Sequence, residues 1–349
     1  MLAHDQLMQR FAATRPAARG GFSRGCGLRM TILNSRTQCE RPTVYDILFV
    51  VGICLTLTGC ESKRAPALRL DNFSGQHAYA LVEQLVAFGP RPSGSAELAK
   101  SGDYIAARLR EYGLTVEEQA FTAPTPRGSI RFRNIIGKTR MQRGGTASIV
   151  VIGSHYDTKW FEQFRFVGAN DGGSSTGVLL ELARVAAAEP NLWFVFFDGE
   201  EAMVEYGPAD GLWGSKHFVA ELKRTEQVER IKTMVLLDMV GDARLEIQMP
   251  SNGDGALIQQ VFDAARAAGT RDYFGYRGGA LLDDHEPFVE AGIPAVDLID
   301  FTYGSKPGLN DYWHTEQDTL DKISPQSLEI VGRTSLRLLD SLAKTGTSR

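Results

Sequence analysis

The chain has 349 residues, 43% of them hydrophobic and 23% charged, which is enough apolar material to bury a sizeable core. With 38 Lys and Arg against 42 Asp and Glu the net charge is −4, and no block of five or six like charges occurs, so a nucleic-acid partner has no footing. Collagen-like and disordered compositions are excluded as well.

The first sixty residues differ from the rest. They carry seven Arg and no Lys against three acids, a local excess of +4 that leaves −8 for the other 289 residues. All four cysteines (Cys26, Cys39, Cys54 and Cys60) lie there, so the body has neither disulfides nor thiolate metal sites, and any metal in it must use His, Asp and Glu. Residues 47–57 form an eleven-residue apolar run, too short to span a bilayer and of signal-peptide length. The Leu57-Thr58-Gly59-Cys60 that closes it resembles the lipobox of bacterial lipoproteins. That resemblance implies a diacylated Cys60, a tether over 61–74, and a place in a bacterial cell envelope held by the lipid alone. Residues 1–60 are then a leader. A start at Met30 gives that leader an ordinary length and leaves residues 1–29 untranslated.

Beyond the tether, Ala78, Leu81, Val82, Leu85 and Phe88 recur at helical spacing until Gly89-Pro90-Arg91-Pro92 stops the element. A second predicted helix carries Ile105, Leu109 and Tyr112 on one face and ends at Gly113; strands follow over 114–117 and 129–136. Short β-rich apolar runs then alternate with helical stretches over 148–153, 178–188, 192–197, 216–222, 234–240, 256–268, 294–299 and 327–342. Such alternation predicts an α/β fold, a three-layer α/β/α sandwich with a mostly parallel central sheet, in one domain over 75–345.

In a sheet of this kind, polar residues just after buried strands gather at the strands' carboxyl ends, where ligands bind. Four places fit: Ser154-His155-Tyr156-Asp157, Asp198-Gly199-Glu200-Glu201, Leu236-Leu237-Asp238, and the loop after residue 299 that reaches Trp313-His314-Thr315. Gly168-Ala169-Asn170-Asp171-Gly172-Gly173 adds a carboxylate on a Gly-rich turn into a helix. Two imidazoles with several carboxylates and no thiolate suit zinc. An adjacent pair such as Glu200 and Glu201 can divide the labour, one binding metal while the other moves protons.

These five motifs stand in the order and approximate spacing of the zinc aminopeptidase superfamily, which includes the glutaminyl cyclases, and the resemblance covers roughly residues 75–342. It implies a zinc-exopeptidase-like fold and one of two chemistries on peptide N-termini. In a co-catalytic aminopeptidase two zinc ions would be held by His155, Asp171, Glu201, Asp238 and His314, with Asp171 bridging. In a glutaminyl cyclase one zinc would be held by Asp171, Glu201 and His314, with His155 supporting the pocket without ligating. Asp283-Asp284-His285-Glu286-Pro287-Phe288 resembles the cyclase DDHxPF element, which implies a proton relay of Asp283, Glu200 and Asp238. Trp313 matches the aromatic wall of the cyclase substrate pocket, and Tyr206 stands where many animal cyclases have Trp. The run Asn170 through Gly177 instead looks like the aminopeptidase version of the Asp loop; the resemblance as a whole favours a glutaminyl-peptide cyclotransferase, with the two-zinc aminopeptidase as the alternative and a metal-dead envelope binding module behind both.

Overall fold

Apolar periodicity and caps together decide the first elements. The computed structural model describes residues 69–142, 148–207 and 209–344; the leader, Cys60 and the tether up to residue 68 lie outside them. Helix α1 (Gly75–Ala87) begins where the Ser74 hydroxyl accepts the His77 amide, and it buries Ala78, Leu81, Val82 and Leu85. Helix α2 (Ala96–Glu111) is capped in the same way by Ser95 and buries Leu98, Ile105, Ala106 and Leu109. Both match the predicted spacing.

Strands β1 (Thr115–Thr125) and β2 (Gly128–Lys138) form a long antiparallel hairpin. Its first strand runs eight residues past the predicted 114–117, because its half-exposed alternation carries little apolar signal. Then come β3 (Ile149–His155), α3 (Gly173–Val185), β4 (Leu192–Phe197), α4 (Trp213–Arg224), β5 (Ile231–Asp238), β6 (Ile247–Met249), α5 (Gly255–Ala268), β7 (Phe274–Tyr276), α6 (Glu286–Glu290), β8 (Ala295–Ile299) and α7 (Pro325–Lys344).

The six-stranded sheet has the order β1-β2-β4-β3-β5-β8. Strands β4, β3, β5 and β8 pair in parallel, while β2 joins β4 antiparallel. Successive residues of one strand feed opposite layers. Val150, Ile152, Phe194 and Phe196 pack with α1, α2, α3, α5 and α7, whereas Ile149, Val151, Val195 and Phe197 pack with α4 and α6. Strands buried on both faces explain the continuous apolar runs in the sequence, and each fully buried Phe of β4 contributes about 1.5–3 kcal/mol. Strands β6 and β7 pair separately as a short parallel ribbon that the sequence pattern did not reveal. Among the described residues no helix is long and apolar enough to cross a membrane.

Candidate active site

The parallel strands aim their carboxyl ends at one crevice. His155 is the last residue of β3, Asp238 the last of β5, and the turn after β4 carries Glu200 and Glu201. Asp171 lies just before α3, Asp283 just before α6, and Trp313 and His314 in the loop after β8. Asp171, Glu200, Tyr206, Asp238, Asp283, Trp313 and His314 line a single open pocket, with Leu281, Leu282, Ile299 and Phe301 on its other walls.

Two nitrogens organise the floor. His155 Nε2 lies 3.2 Å from Asp171 Oδ1 and 3.1 Å from Asp238 Oδ1. His314 Nε2 lies 3.3 Å from Asp171 Oδ2 and 3.2 Å from Glu201 Oε1. A tetrahedron with bonds of ~2.0 Å has edges of about 3.3 Å, so the imidazole–carboxylate edges of both triples have the spacing of ligands around a zinc-sized ion. In each triple the donor atoms all fall within 4.8 Å of one another, and Asp171 offers one oxygen to each. The donor set therefore fits the zinc expected from the sequence.

The electrostatics agree with that reading. Burial alone would depress the His314 imidazole, but Glu201 and Asp171 overturn it and raise it to about 9; His155 is likewise raised well above its usual range against burial, by Asp157, Asp171 and Asp238. Without a cation, protons on the imidazoles neutralise the carboxylates. Burial also opposes ionisation of Asp171, yet the two imidazoles hold it below the ordinary carboxylate range. Glu200 is pushed the other way. Burial raises it well above the usual value against the opposing pull of His155, and the Glu201, Asp284 and Asp238 charges add to the rise. Asp283 is raised well above the usual range by burial, then by Asp297, Asp238 and Glu200. A carboxyl group kept near neutrality beside a metal site is what a proton carrier needs.

Tyr206 sits closer to this chemistry than a wall residue. Its hydroxyl lies 2.9 and 2.8 Å from the two oxygens of Glu200 and 2.9 Å from Glu201 Oε2. Trp313 stacks on His314 with ring centroids 4.0 Å apart. The backbone is strained at both sides of the floor, since His314 and Met239, which follows Asp238, have φ of 56° and 48°. Gly172 (φ 71°) is obligatory, because a Cβ there would meet the Asp157 carbonyl oxygen at 2.7 Å and the His155 ring at 2.9 Å.

Several supporting residues stand outside the predicted ligand and relay sets. Buried Asp318 accepts the amides of Asn170 and Asp171 at 2.7 and 3.0 Å and the Tyr303 hydroxyl at 2.9 Å, which fixes the Asp171 loop. Asp157 accepts the amides of Glu200 and Glu201, both at 3.3 Å. Arg91, read from sequence as part of a helix stop, is fully buried and donates to the backbone carbonyls of Leu85, Gly89, Tyr156, Val167 and Gly168. Asp297, a lone acid inside the apolar run of β8, is buried beside Asp283 and raised well above the usual range by burial. An acid interrupting an apolar strand is a signal available in the sequence; Asp318 has none. Of the remaining histidines of the body, His77 pairs with Glu181, His217 stacks on Phe121, and His285 is buried at the start of α6. Cys60 lies outside the described residues.

The comparisons with known proteins point the same way. Residues 134–339 match peptidase family M28. Over 263 residues the chain is 28% identical to the glutaminyl-peptide cyclotransferase of Drosophila melanogaster, covering 67% of this chain and 72% of that protein. The crystal structure of a glutaminyl cyclase from an Acidobacteriales bacterium superimposes with a TM-score of 0.73 at 35% identity, over 81% of this chain and 97% of that one. A Zn-dependent exopeptidase from Parabacteroides distasonis superimposes with a TM-score of 0.66 at 28% identity, over 78% of this chain and 97% of that one. With more than half of its length matched, and with a solved relative at this identity, the chain belongs to peptidase family M28.

Proposed function

We propose that the protein is a zinc-dependent glutaminyl-peptide cyclotransferase, which converts the N-terminal Gln of peptides to pyroglutamate and releases ammonia. The observation that carries this reading is Asp283. It opens into the same small pocket as Glu200 and Asp238, and burial together with its acidic neighbours holds it near neutrality. Moving a proton between two nitrogens of one substrate residue calls for such a chain of carboxyl groups.

Asp171, Glu201 and His314 would hold a zinc ion, which would supply Lewis-acid polarisation of the γ-carbonyl. The pocket folds the Gln side chain against Trp313, so that its α-amine approaches its own Cδ and proximity is gained within one residue. The bond from the α-nitrogen to Cδ forms, the bond from Cδ to the amide nitrogen breaks, and Glu200 takes a proton from the former nitrogen and delivers it to the latter, which leaves as ammonia. Tyr206 holds Glu200 in place, while Asp238 and Asp283 buffer its proton. His155 braces Asp171 and Asp238 from beneath.

A second reading is favoured by the spacing of His155, Asp171 and Asp238, which would complete a two-zinc aminopeptidase in which Glu200 takes the proton of an attacking water. One experiment separates them: the purified protein is given a Gln-initiated and a Leu-initiated peptide, the products are weighed by mass spectrometry, and zinc is quantified on the same sample. The cyclase reading expects ammonia loss from the Gln peptide, an intact Leu peptide and one zinc per chain; free Leu with two zincs per chain gives the peptidase. Glu200→Gln is expected to abolish turnover while zinc is retained, and a near-normal rate would remove Glu200 from its role. We further propose that Cys60 is lipidated and tethers the catalytic unit (75–345) in a bacterial envelope, a reading supported by the Leu57-Thr58-Gly59-Cys60 motif.

A further inference from the structure

A ladder of rings leads out of the pocket. Trp313 stacks on His314; Phe301 packs on Trp313 with centroids 5.0 Å apart; and the Arg277 guanidinium lies over Phe301, 5.1 Å from its centroid. Phe301, Trp313 and His314 line the pocket and Arg277 does not, so the guanidinium stands one ring outside it. Its pedestal is fixed. The Arg277 amide donates to the Met249 carbonyl at 2.8 Å, the Ser251 amide to the Gly279 carbonyl at 3.0 Å, and the Leu281 amide to Asn252 Oδ1 at 3.1 Å.

Two cations beside the turn that carries Glu201 are already engaged. Arg127 pairs with Glu162 at 3.3 Å and lies over Trp160, and Lys159 pairs with Glu201 at 3.8 Å. Arg277 has no carboxylate within ion-pair distance among the described residues, and its aromatic contact leaves the edge donors of the guanidinium available. Extended peptide advances ~3.3–3.6 Å per residue, so a chain whose first residue fills the pocket and whose next residues run along the ring ladder reaches Arg277 with its second or third side chain. On the same reading the carboxyl groups of the floor would take the α-amine of the first residue, one residue deeper, and would not compete for that position.

We propose that Arg277 is a specificity residue that selects peptides carrying Asp or Glu just after the N-terminal residue. The proposal rests on the reading that this pocket takes a peptide N-terminus, and its test keeps the two apart. Peptides differing only in Glu, Gln or Lys at the second and third positions after an N-terminal Gln are compared with the zinc-loaded protein. At about 0.02 M salt kcat/KM is expected to be about three- to tenfold higher for the Glu peptide than for its Lys twin, chiefly through KM, and the ratio shrinks toward one at about 0.5 M salt. Arg277→Glu inverts the order. Dissociation constants for the same peptides, measured by fluorescence anisotropy in the Glu200→Gln background with and without Arg277→Glu, give a readout that needs no turnover. If pyroglutamate forms but neither ratio responds to Arg277→Glu, the assignment of Arg277 is overturned and the cyclase reading stands. If no Gln peptide is turned over by the wild-type protein while the dissociation constants still follow Arg277, the cyclase reading fails and the rim assignment stands.

Discussion

Removing one hydroxyl from the pocket isolates the role of Tyr206. Its single phenolic proton is shared among three carboxylate oxygens at 2.8–2.9 Å, in a site where burial already pushes Glu200 far above the usual carboxylate range. A donor to a carboxylate stabilises the charged form, so Tyr206→Phe moves the Glu200 pKa further up. A hydrogen bond to a charged group is worth about 1.5–3 kcal/mol, and at about 1.4 kcal/mol per pH unit the full loss corresponds to about one to two units. Water entering the space of the lost hydroxyl recovers part of that, which leaves about one unit. The assay is kcat/KM for a Gln peptide from pH 5 to 9. The acid limb of the profile is expected to move up by about one pH unit and the plateau to fall by about tenfold, with zinc content unchanged. An acid limb that stays in place, or moves down, would refute the assignment of Tyr206 as the group that holds Glu200 ionised; zinc loss on the same substitution would place its main role at Glu201.

Two further outcomes are expected. Cells expressing the full chain and fed labelled fatty acid should label the protein, and Cys60→Ala should abolish the label and release the protein from membranes; a labelled Cys60→Ala protein would discard the lipobox. The melting temperature of the metal-free protein should fall as pH rises from 6 to 9, because burial raises Asp284 and Asp318 to about 7 and Asp198 to about 8, and neighbouring acids raise His314 to about 9 against burial. Groups raised on folding contribute stability that is fully present below their unfolded values and lost as pH climbs through the folded ones, and Asp171, which shifts the other way, acts only at more acidic pH. Zinc replaces the protons on the imidazoles and should flatten the curve, whereas a metal-free melting temperature that rises over this range would contradict the upward shifts of these four groups.

How far the molecule could be read from its sequence follows from where each signal is stored. Strands covered on both faces must be apolar throughout, so β3, β4, β5 and β8 stand out as runs, and any polar group at their ends is marked by the contrast. His155, Glu200, Glu201 and Asp238 are legible for that reason, and the parallel topology then brings Asp171 and His314 to them. Strand β1 reads short in the sequence because a half-exposed hairpin writes no such run, and the β6–β7 ribbon is too short to write any pattern. The supports are hidden for a different reason. Asp318 and Arg91 act on backbone amides and carbonyls of segments far away in sequence, 148 residues in the case of Asp318 and Asn170 and 77 in the case of Arg91 and Gly168. A backbone group carries no residue identity, so its partner leaves no complementary letter to find. The same holds at the rim, where Arg277 is defined by a ring on another loop and by the lack of an ion-paired carboxylate among the described residues. Ligands that converge on a metal are constrained in type and can be recognised one by one; residues that hold the loops carrying those ligands are constrained only in place, and they become visible when the fold closes the distance.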